Sequence, residues 1–363
     1  MMFVAYYATS SFLSVFVGRL ADRTNKPGPL VGVGLALLSC GLLGMAASAI
    51  YSSGLLLVAG TIASASVVGS GSAFYHPLGG AVLQSGFKGS SLGRALGVNG
   101  AAGSIGRALY PSLFFLAATA FSEPGSIALF GIVGLAAALL TWIGLRGQSS
   151  GLPRGNVAGS NAIRDALTRG IIVLTILAFA RAATLQGISY WIPLYLTQVK
   201  GLGVSSALGT ILTITYGSAV VGQPVFGYLA GKFDKRFVLG LSTVGSALSI
   251  LGYLFISGPL GIVLLTLFGF FAFSAFPLFL SLTSDYAPTG SSSLGNALVW
   301  GLGTTAGGTV GPPITGAIVA LTDYSHLAFA FELLALGALV SAMGVIFIPK
   351  HSMNGKVGSQ ETS

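Results

Sequence analysis

Two stretches decide the fold: Gly18-Arg-Leu-Ala-Asp22-Arg23-Thr-Asn25-Lys26-Pro27 and Gly227-Tyr-Leu-Ala-Gly231-Lys232-Phe-Asp234-Lys235-Arg236. They share a Gly-x-Leu-Ala frame 209 positions apart, each at the end of an apolar segment. A second offset agrees, since Ser72-Ala-Phe74 recurs as Ser274-Ala-Phe276 and Ser91-Leu-Gly93 as Ser293-Leu-Gly295, both 202 apart. Self-similarity at this period marks a tandem duplication of a membrane half-unit.

Composition sets the solvent. Charged residues make up 7% of the 363 positions, against about 25% in soluble domains, and the mean hydropathy is +0.87. So few charges cannot cover a water-soluble surface, so the chain reads as a polytopic membrane protein. The 54 glycines fit, because small residues let helices approach closely in lipid. The single cysteine, Cys40, excludes an internal disulfide and reads as a packing residue. A net charge of +9 raises the question of nucleic acid, but the basic residues are scattered singly through short loops.

Eleven apolar segments are long enough to span: 2–19, 29–50, 54–84, 92–119, 124–146, 169–197, 205–230, 236–257, 259–284, 292–321 and 325–349. The organisation follows: a first half over 1–146, an interdomain loop over 147–168 with a short surface helix near Ile163, a second half over 169–349, and a disordered tail over 350–363. Of 17 basic residues, 14 fall on one side, only Lys200 on the other, and Arg107 and Arg181 within segments. The loaded side is expected to be cytoplasmic, with the C-terminus and the interdomain loop on it. The helix 205–230 has a mate in 169–197, whereas its counterpart 2–19 has none. The register therefore expects a further helix ahead of Met1, from a start site set too far downstream rather than from a lost helix.

With both loops in view, the chain resembles the major facilitator superfamily, whose loop pattern runs Gly-x-Leu-Ala-Asp-Arg/Lys-x-Gly-Arg/Lys-Arg/Lys. Gly18, Leu20, Ala21, Asp22, Arg23 and Lys26 match, with Asn25 in place of the second glycine and Pro27 in place of the last basic residue. In the second copy Gly227, Leu229, Ala230, Lys232, Lys235 and Arg236 match, and Gly231 stands where the aspartate belongs. The resemblance covers family helices 2–12 and implies an all-α membrane fold of two pseudo-symmetric bundles. Gly69-Ser-Gly71-Ser-Ala-Phe74-Tyr-His76-Pro77 and Leu96-Gly-Val-Asn99-Gly100-x-x-Gly103 resemble the fosmidomycin-resistance branch of efflux carriers, with Leu78-Gly79 departing from that branch's polar residue after His-Pro.

Asp22 sits at a helix C-terminus, where the macrodipole disfavours a carboxylate. It needs a partner, either Arg23 or Lys26 beside it or the N-terminus of another helix across the half boundary. The family implies a conformational latch here, formed by Gly18, Asp22, Arg23 and Lys26 and, in the second copy, Gly227, Lys232, Asp234 and Arg236. Arg181 lies near mid-membrane, where an arginine costs about 2.5–3.5 kcal/mol on insertion scales. It reads as a cavity residue, followed by Gln186, Tyr190 and Trp191, or as the partner of a carboxylate on the further helix expected ahead of Met1. Arg107 contacts substrate or braces the halves. His76 relays protons or hydrogen-bonds structurally. Asn99, Tyr216 and Glu332 complete the candidate binding and coupling set, with Asp285 at an inner helix end. The Gly307-x-x-x-Gly311-Pro312-Pro313 run reads as a packing kink, and the aromatic runs 268–276 and 114–115 as lipid-facing or packing.

These features point to a secondary transporter whose halves rock about a midplane cavity. Buried arginines against few acids favour an anionic or zwitterionic cargo, and resemblance implies proton-coupled drug efflux. Uptake of a small metabolite and a non-transporting membrane protein remain alternatives. No enzyme signature is present, and no cofactor or metal is expected. The expected partners are a small molecule, protons and the bilayer, without nucleic acid, for a monomer in the cell membrane.

Overall fold

The computed structural model describes residues 2–147, 162–203 and 206–350, all helices and turns. The expected interdomain loop therefore falls mostly, and the expected tail almost wholly, outside the described residues.

In the first half, α1 (Met2–Thr24), α2 (Pro27–Tyr51) and α3 (Gly54–Gly86) are joined by tight turns, and α4 (Ser90–Leu145) breaks at Ser122 into two limbs. Lys26 precedes Pro27 at the first turn of α2, where a missing N–H costs nothing. Asn25 in that turn has φ +57°, a left-handed conformation. This explains why the loop pattern prefers glycine there and why asparagine can replace it. After the short α5 (Ala162–Ala166) come α6 (Arg169–Leu194) with a π-helical end (Tyr195–Val199), α7 (Ser206–Gly217) and α8 (Ala219–Lys232). Then follow α9 (Lys235–Phe255), α10 (Gly258–Ala272), a 3₁₀ turn (Phe273–Ala275) and α11 (Phe276–Tyr286). The last elements are α12 (Ser292–Asn296), a π-helical stretch (Ala297–Thr305), α13 (Ala306–Leu321) and α14 (Leu327–Met343).

Among the described residues, eight helical spans are long and apolar enough to cross a membrane. The three expected segments outside that set are 92–119, 205–230 and 292–321. They carry Arg94, Asn99 and Arg107, the break between α7 and α8, and the π-helical stretch. Polarity and irregular backbone are tolerated at membrane depth where protein or a cavity surrounds them. These segments make the contacts across the half boundary, two with each other and the third with α1. α4 packs on α8, and α1 packs on α12 and the π-helical stretch.

Those crossings are made at backbone distance. A Cβ on Gly227 would lie 2.3 Å from the Gly93 carbonyl oxygen, and one on Gly97 would lie 2.7 Å from that of Gln223. A Cβ on Gly18 would lie 2.7 Å from the Ser293 carbonyl oxygen. Beside them, Leu92 and Leu96 of α4 are buried against Phe276 and Leu280 of α11, an apolar layer shared by the halves.

The structure refines three expectations. The helix near Ile163 exists with Arg164 and Asp165 exposed, and its inner face, Ala162 and Ala166, is fully buried in the second half's core. Cys40 is exposed on α2 rather than packed. In the aromatic run 268–276, Phe268 packs in the core as expected, whereas Phe273 and Phe276, at the 3₁₀ turn that interrupts the run, face the space between the halves.

Gly227→Val should force α4 and α8 apart. In a Cys40→Ser, Leu96→Cys background, the buried thiol is expected to resist maleimide; adding Gly227→Val should expose it. Equal protection in both proteins would show that the crossing tolerates a side chain.

Candidate functional site

Between the halves lies a cavity of about 610 Å³, within the range of small-molecule sites. α1 contributes Tyr6 and Tyr7, α3 contributes Tyr75 and His76, and α4 contributes Asn99, Gly100, Gly103 and Arg107. The second half adds Arg181, Gln186, Ser189 and Tyr190 from α6, Tyr216 from α7 and Gln223 from α8. Phe273, Phe276, Trp300 and Thr304 complete the wall. No aspartate or glutamate is among the described lining residues.

The two arginines differ in kind. Arg181 is 8% exposed and is clasped by its own half. Its Nε donates to Thr243 Oγ1 at 3.0 Å, and its Nη2 donates to the Phe271 and Ala272 carbonyls at 3.2 and 2.9 Å. Both carbonyls sit where α10 ends at Ala272 and the chain turns 3₁₀, so they keep acceptor capacity for the guanidinium, although the Phe271 oxygen also accepts from the Phe273 N–H. A hydroxyl and two backbone oxygens of its own half thus satisfy the Arg181 guanidinium. Arg107 is exposed into the cavity. Its guanidinium lies over the Phe273 ring, 5.2 Å from the centroid, within electrostatic reach of Tyr6, Tyr7 and Tyr216.

His76 packs against Tyr75, Phe276 and Trp300, with ring centroids 5.0, 5.7 and 4.9 Å away, so its cage comes largely from the other half. Its Nδ1 is buried with no hydrogen-bond partner. The Tyr6 hydroxyl meets Ser72 Oγ at 2.9 Å, and the Tyr216 hydroxyl donates to the Ser189 carbonyl at 2.9 Å. Asn99 engages the Tyr75 hydroxyl. Gly69 and Gly71 in the His-Pro stretch are notches: a Cβ there would lie 2.2 Å from Tyr6 O and 2.4 Å from Leu38 N.

Two sequence candidates stand elsewhere. Trp191 turns away from the cavity, and its indole donates to the Pro312 carbonyl at 3.0 Å. Gln186, Ser189 and Tyr190 share one face of α6 by their three- and four-residue spacing, and Trp191 falls a further 100° round. Glu332 is half-buried on α14, near Tyr195 and away from the lining residues. Asp285 is taken by Lys235, whose Nζ lies 2.7 Å from its carboxylate. Among the cavity residues missed by sequence reasoning are Tyr6, Tyr7, Ser189, Gln223, Phe273, Phe276, Trp300 and Thr304. Tyr7 stands 209 positions before Tyr216, so the repeat offset itself was the unused signal.

Toward the end that carries the basic loops, polar side chains bridge the halves. Asp22 Oδ1 and Oδ2 accept from the Ser293 and Leu294 backbone N–H groups at 3.0 and 2.8 Å, the opening turn of α12. Of the partners left open for Asp22, this is the helix N-terminus, where the dipole favours an anion. Gln84 and Asn296 exchange two amide hydrogen bonds of 3.1 and 3.0 Å, and Gln84 also donates to the Leu280 carbonyl. At the second copy, Gly231 packs on Ser90, where a Cβ would lie 2.9 Å from its Cα, leaving no room for an aspartate. Arg23, Lys26 and Lys232 are exposed. Asp234 caps α9 through the Arg236 N–H and pairs with the Arg236 guanidinium, whose hydrogen bonds hold its carboxyl below the ordinary range. Its cap therefore weakens only as pH falls through that lowered value.

The profile of the Major Facilitator Superfamily matches residues 1–300 and 205–362. The chain is 25% identical over 360 residues to the fosmidomycin resistance protein of Escherichia coli, covering 97% of this chain and 84% of that one. It is 28% identical over 359 residues to an uncharacterized MFS-type transporter, YfnC, of Bacillus subtilis, covering 93% and 76%. Among solved structures, the human organic anion transporter MFSD10 superposes with a TM-score of 0.75 at 14% identity over 95% and 82% of the two chains. The fucose:proton symporter of E. coli does so with a TM-score of 0.65 at 14% identity over 96% of each. Duplicated helical halves, a cavity between them and a profile spanning both place this multi-pass membrane protein: the chain belongs to the major facilitator superfamily, and it is a secondary transporter of small molecules rather than an enzyme.

Proposed function

We propose that the chain is a proton-coupled exporter of a small anionic or zwitterionic compound. The observation that carries this reading is Arg107, a guanidinium exposed into a cavity whose described lining holds no carboxylate. An arginine over an aromatic face keeps its fork free for an anion. Tyr7 from the first half and Tyr216 from the second flank it, with the Tyr216 hydroxyl already committed to the Ser189 carbonyl. The fosmidomycin resistance protein among its relatives supports export.

The halves, taken as 1–146 and 169–349, alternate about the cavity. The polar bridges and glycine crossings lie toward the basic-loop end, which the positive-inside rule makes cytoplasmic. We read the state as closed to the cytoplasm, in a monomer of the cell membrane. A fucose transporter solved in the outward conformation superposes with a TM-score of 0.74, which supports that reading. Asp22 acts as a latch, since its two N–H bonds exist only while α12 is docked. Proton coupling is assigned to His76, a lining imidazole whose Nδ1 is buried without a hydrogen-bond partner.

Purified protein in proteoliposomes tests this. A pH gradient should drive fosmidomycin or simple organic anions against their concentration, and absence of flux for every anion would refute the proposal. Arg107→Ala should weaken anion binding by about tenfold or more with unchanged melting, the loss of one charge-assisted contact.

Arg181→Ala should behave oppositely, because it strips buried carbonyls of donors at a cost of about 1–3 kcal/mol. Its melting temperature should fall, and a variant with parent-like melting but lost binding would reassign Arg181 to the cargo.

Asp22→Asn should raise maleimide labelling at Leu96→Cys in the Cys40→Ser background, by weakening a charge-assisted helix cap. Unchanged labelling would remove Asp22 from the latch.

A further inference from the structure

Among the side chains that bridge the halves, Gln223 also lines the cavity, whereas Asp22, Gln84 and Asn296 are not among its described lining residues. Gln223 is 3% exposed, and its Nε2 donates across the boundary to Ser104 Oγ at 2.8 Å. Its Oε1 is buried and has no hydrogen-bond partner. That oxygen fills the notch left by Gly100, where a Cβ would lie 1.4 Å from it. Two other buried, unpartnered polar atoms belong to the same cavity wall, His76 Nδ1 and Thr304 Oγ1.

A buried acceptor without a donor costs about 1–3 kcal/mol, and native proteins keep such groups few. Here three of the five such atoms among the described residues belong to one cavity wall, the others being Thr215 Oγ1 and Ser281 Oγ. The duplication shows that this is not demanded by the fold. Ser14, 209 positions before Gln223, donates its hydroxyl to the Ser10 carbonyl within its own helix. The second half therefore carries a hydrogen-bonding group on the cavity that the first half does without.

We propose that Gln223 selects the cargo. With His76 and Thr304 beside it on the wall, it reads a hydroxyl or amino donor on the molecule whose anionic group rests on Arg107. Arg107 follows Ser104 by three positions on one face of α4, so the anion and the Gln223 amide occupy successive layers that one small molecule spans. The cargo is thus a hydroxylated or amino-bearing anion, not a plain lipophilic acid. A site built to hydrogen-bond a polar group rejects the analogue that lacks it far more strongly than an apolar pocket rejects an added group. The inference rests on the reading of Arg107 as the anion site.

Mandelate and phenylacetate, two carboxylates that differ by one hydroxyl, test it on the purified full chain by titration calorimetry. Mandelate is expected to bind about tenfold more tightly or better. Gln223→Leu should abolish that preference, whereas Gln223→Glu, which keeps an acceptor in place, should weaken both acids and retain it. Equal affinity in the parent protein overturns the proposal. So does a preference that survives Gln223→Leu, or, if that variant does not fold, one that is lost in Gln223→Glu at parent-like melting temperature. Arg107→Ala leaving both affinities unchanged overturns the anion site instead, and binding of neither acid overturns both.

Discussion

Two helical halves that must meet and part can touch only through surfaces that neither interlock nor leave backbone groups stranded. The α4–α8 and α1–α12 crossings meet that constraint with glycine. Gly93, Gly97 and Gly227 bring two backbones to distances that any Cβ would forbid, and Gly18 does the same against Ser293. Such a contact collects dispersion energy from many atoms, yet no large side chain has to be withdrawn for it to open. The cavity follows from the same geometry. It begins where the glycine run on α4 gives way to Arg107 and where α7 and α1 present Tyr216 and Tyr7, since side-chain bulk there holds the halves apart.

The duplicated frame is used unequally. Its first copy ends in Asp22, whose carboxylate closes the N-terminus of α12. Its second ends in Gly231, pressed on Ser90. A charged cap and a bare backbone contact hold equivalent crossings, so the electrostatic part of the closed state belongs to one side of the molecule. The second side places its polar bridge nearer the cavity, at Gln223 and Ser104. Pseudo-symmetry supplies the frame, and departures from it supply the chemistry.

Much of this was legible in the residues. Repeat offsets and the charge map gave a duplicated, all-helical membrane protein, and a transporter family resemblance rested on the same loops. The cavity was legible in part. Arg107, His76, Asn99, Gln186, Tyr190 and Tyr216 all line it, together with Arg181. Trp191 does not, because reading a polar and aromatic run as one wall ignored the 100° that separates neighbours on a helix. Trp300 and Thr304 were missed because the π-helical stretch 297–305, which carries both, leaves no mark in composition. Glu332 was chosen for want of carboxylates, and a peripheral helix keeps it from the cavity.

By itself the sequence determined the class of solvent, the duplication and the family, because hydropathy, charge placement and periodicity are properties of the chain read in order. It also determined that two arginines lie at membrane depth and must be satisfied. Only the tertiary structure decided how. Arg181 is spent on the carbonyls where α10 ends, while Arg107 keeps its guanidinium for the cavity. A guanidinium's partners are whatever donors and acceptors the fold brings within about 3 Å of it, and that adjacency, between residues some ninety positions apart, is written nowhere along the chain.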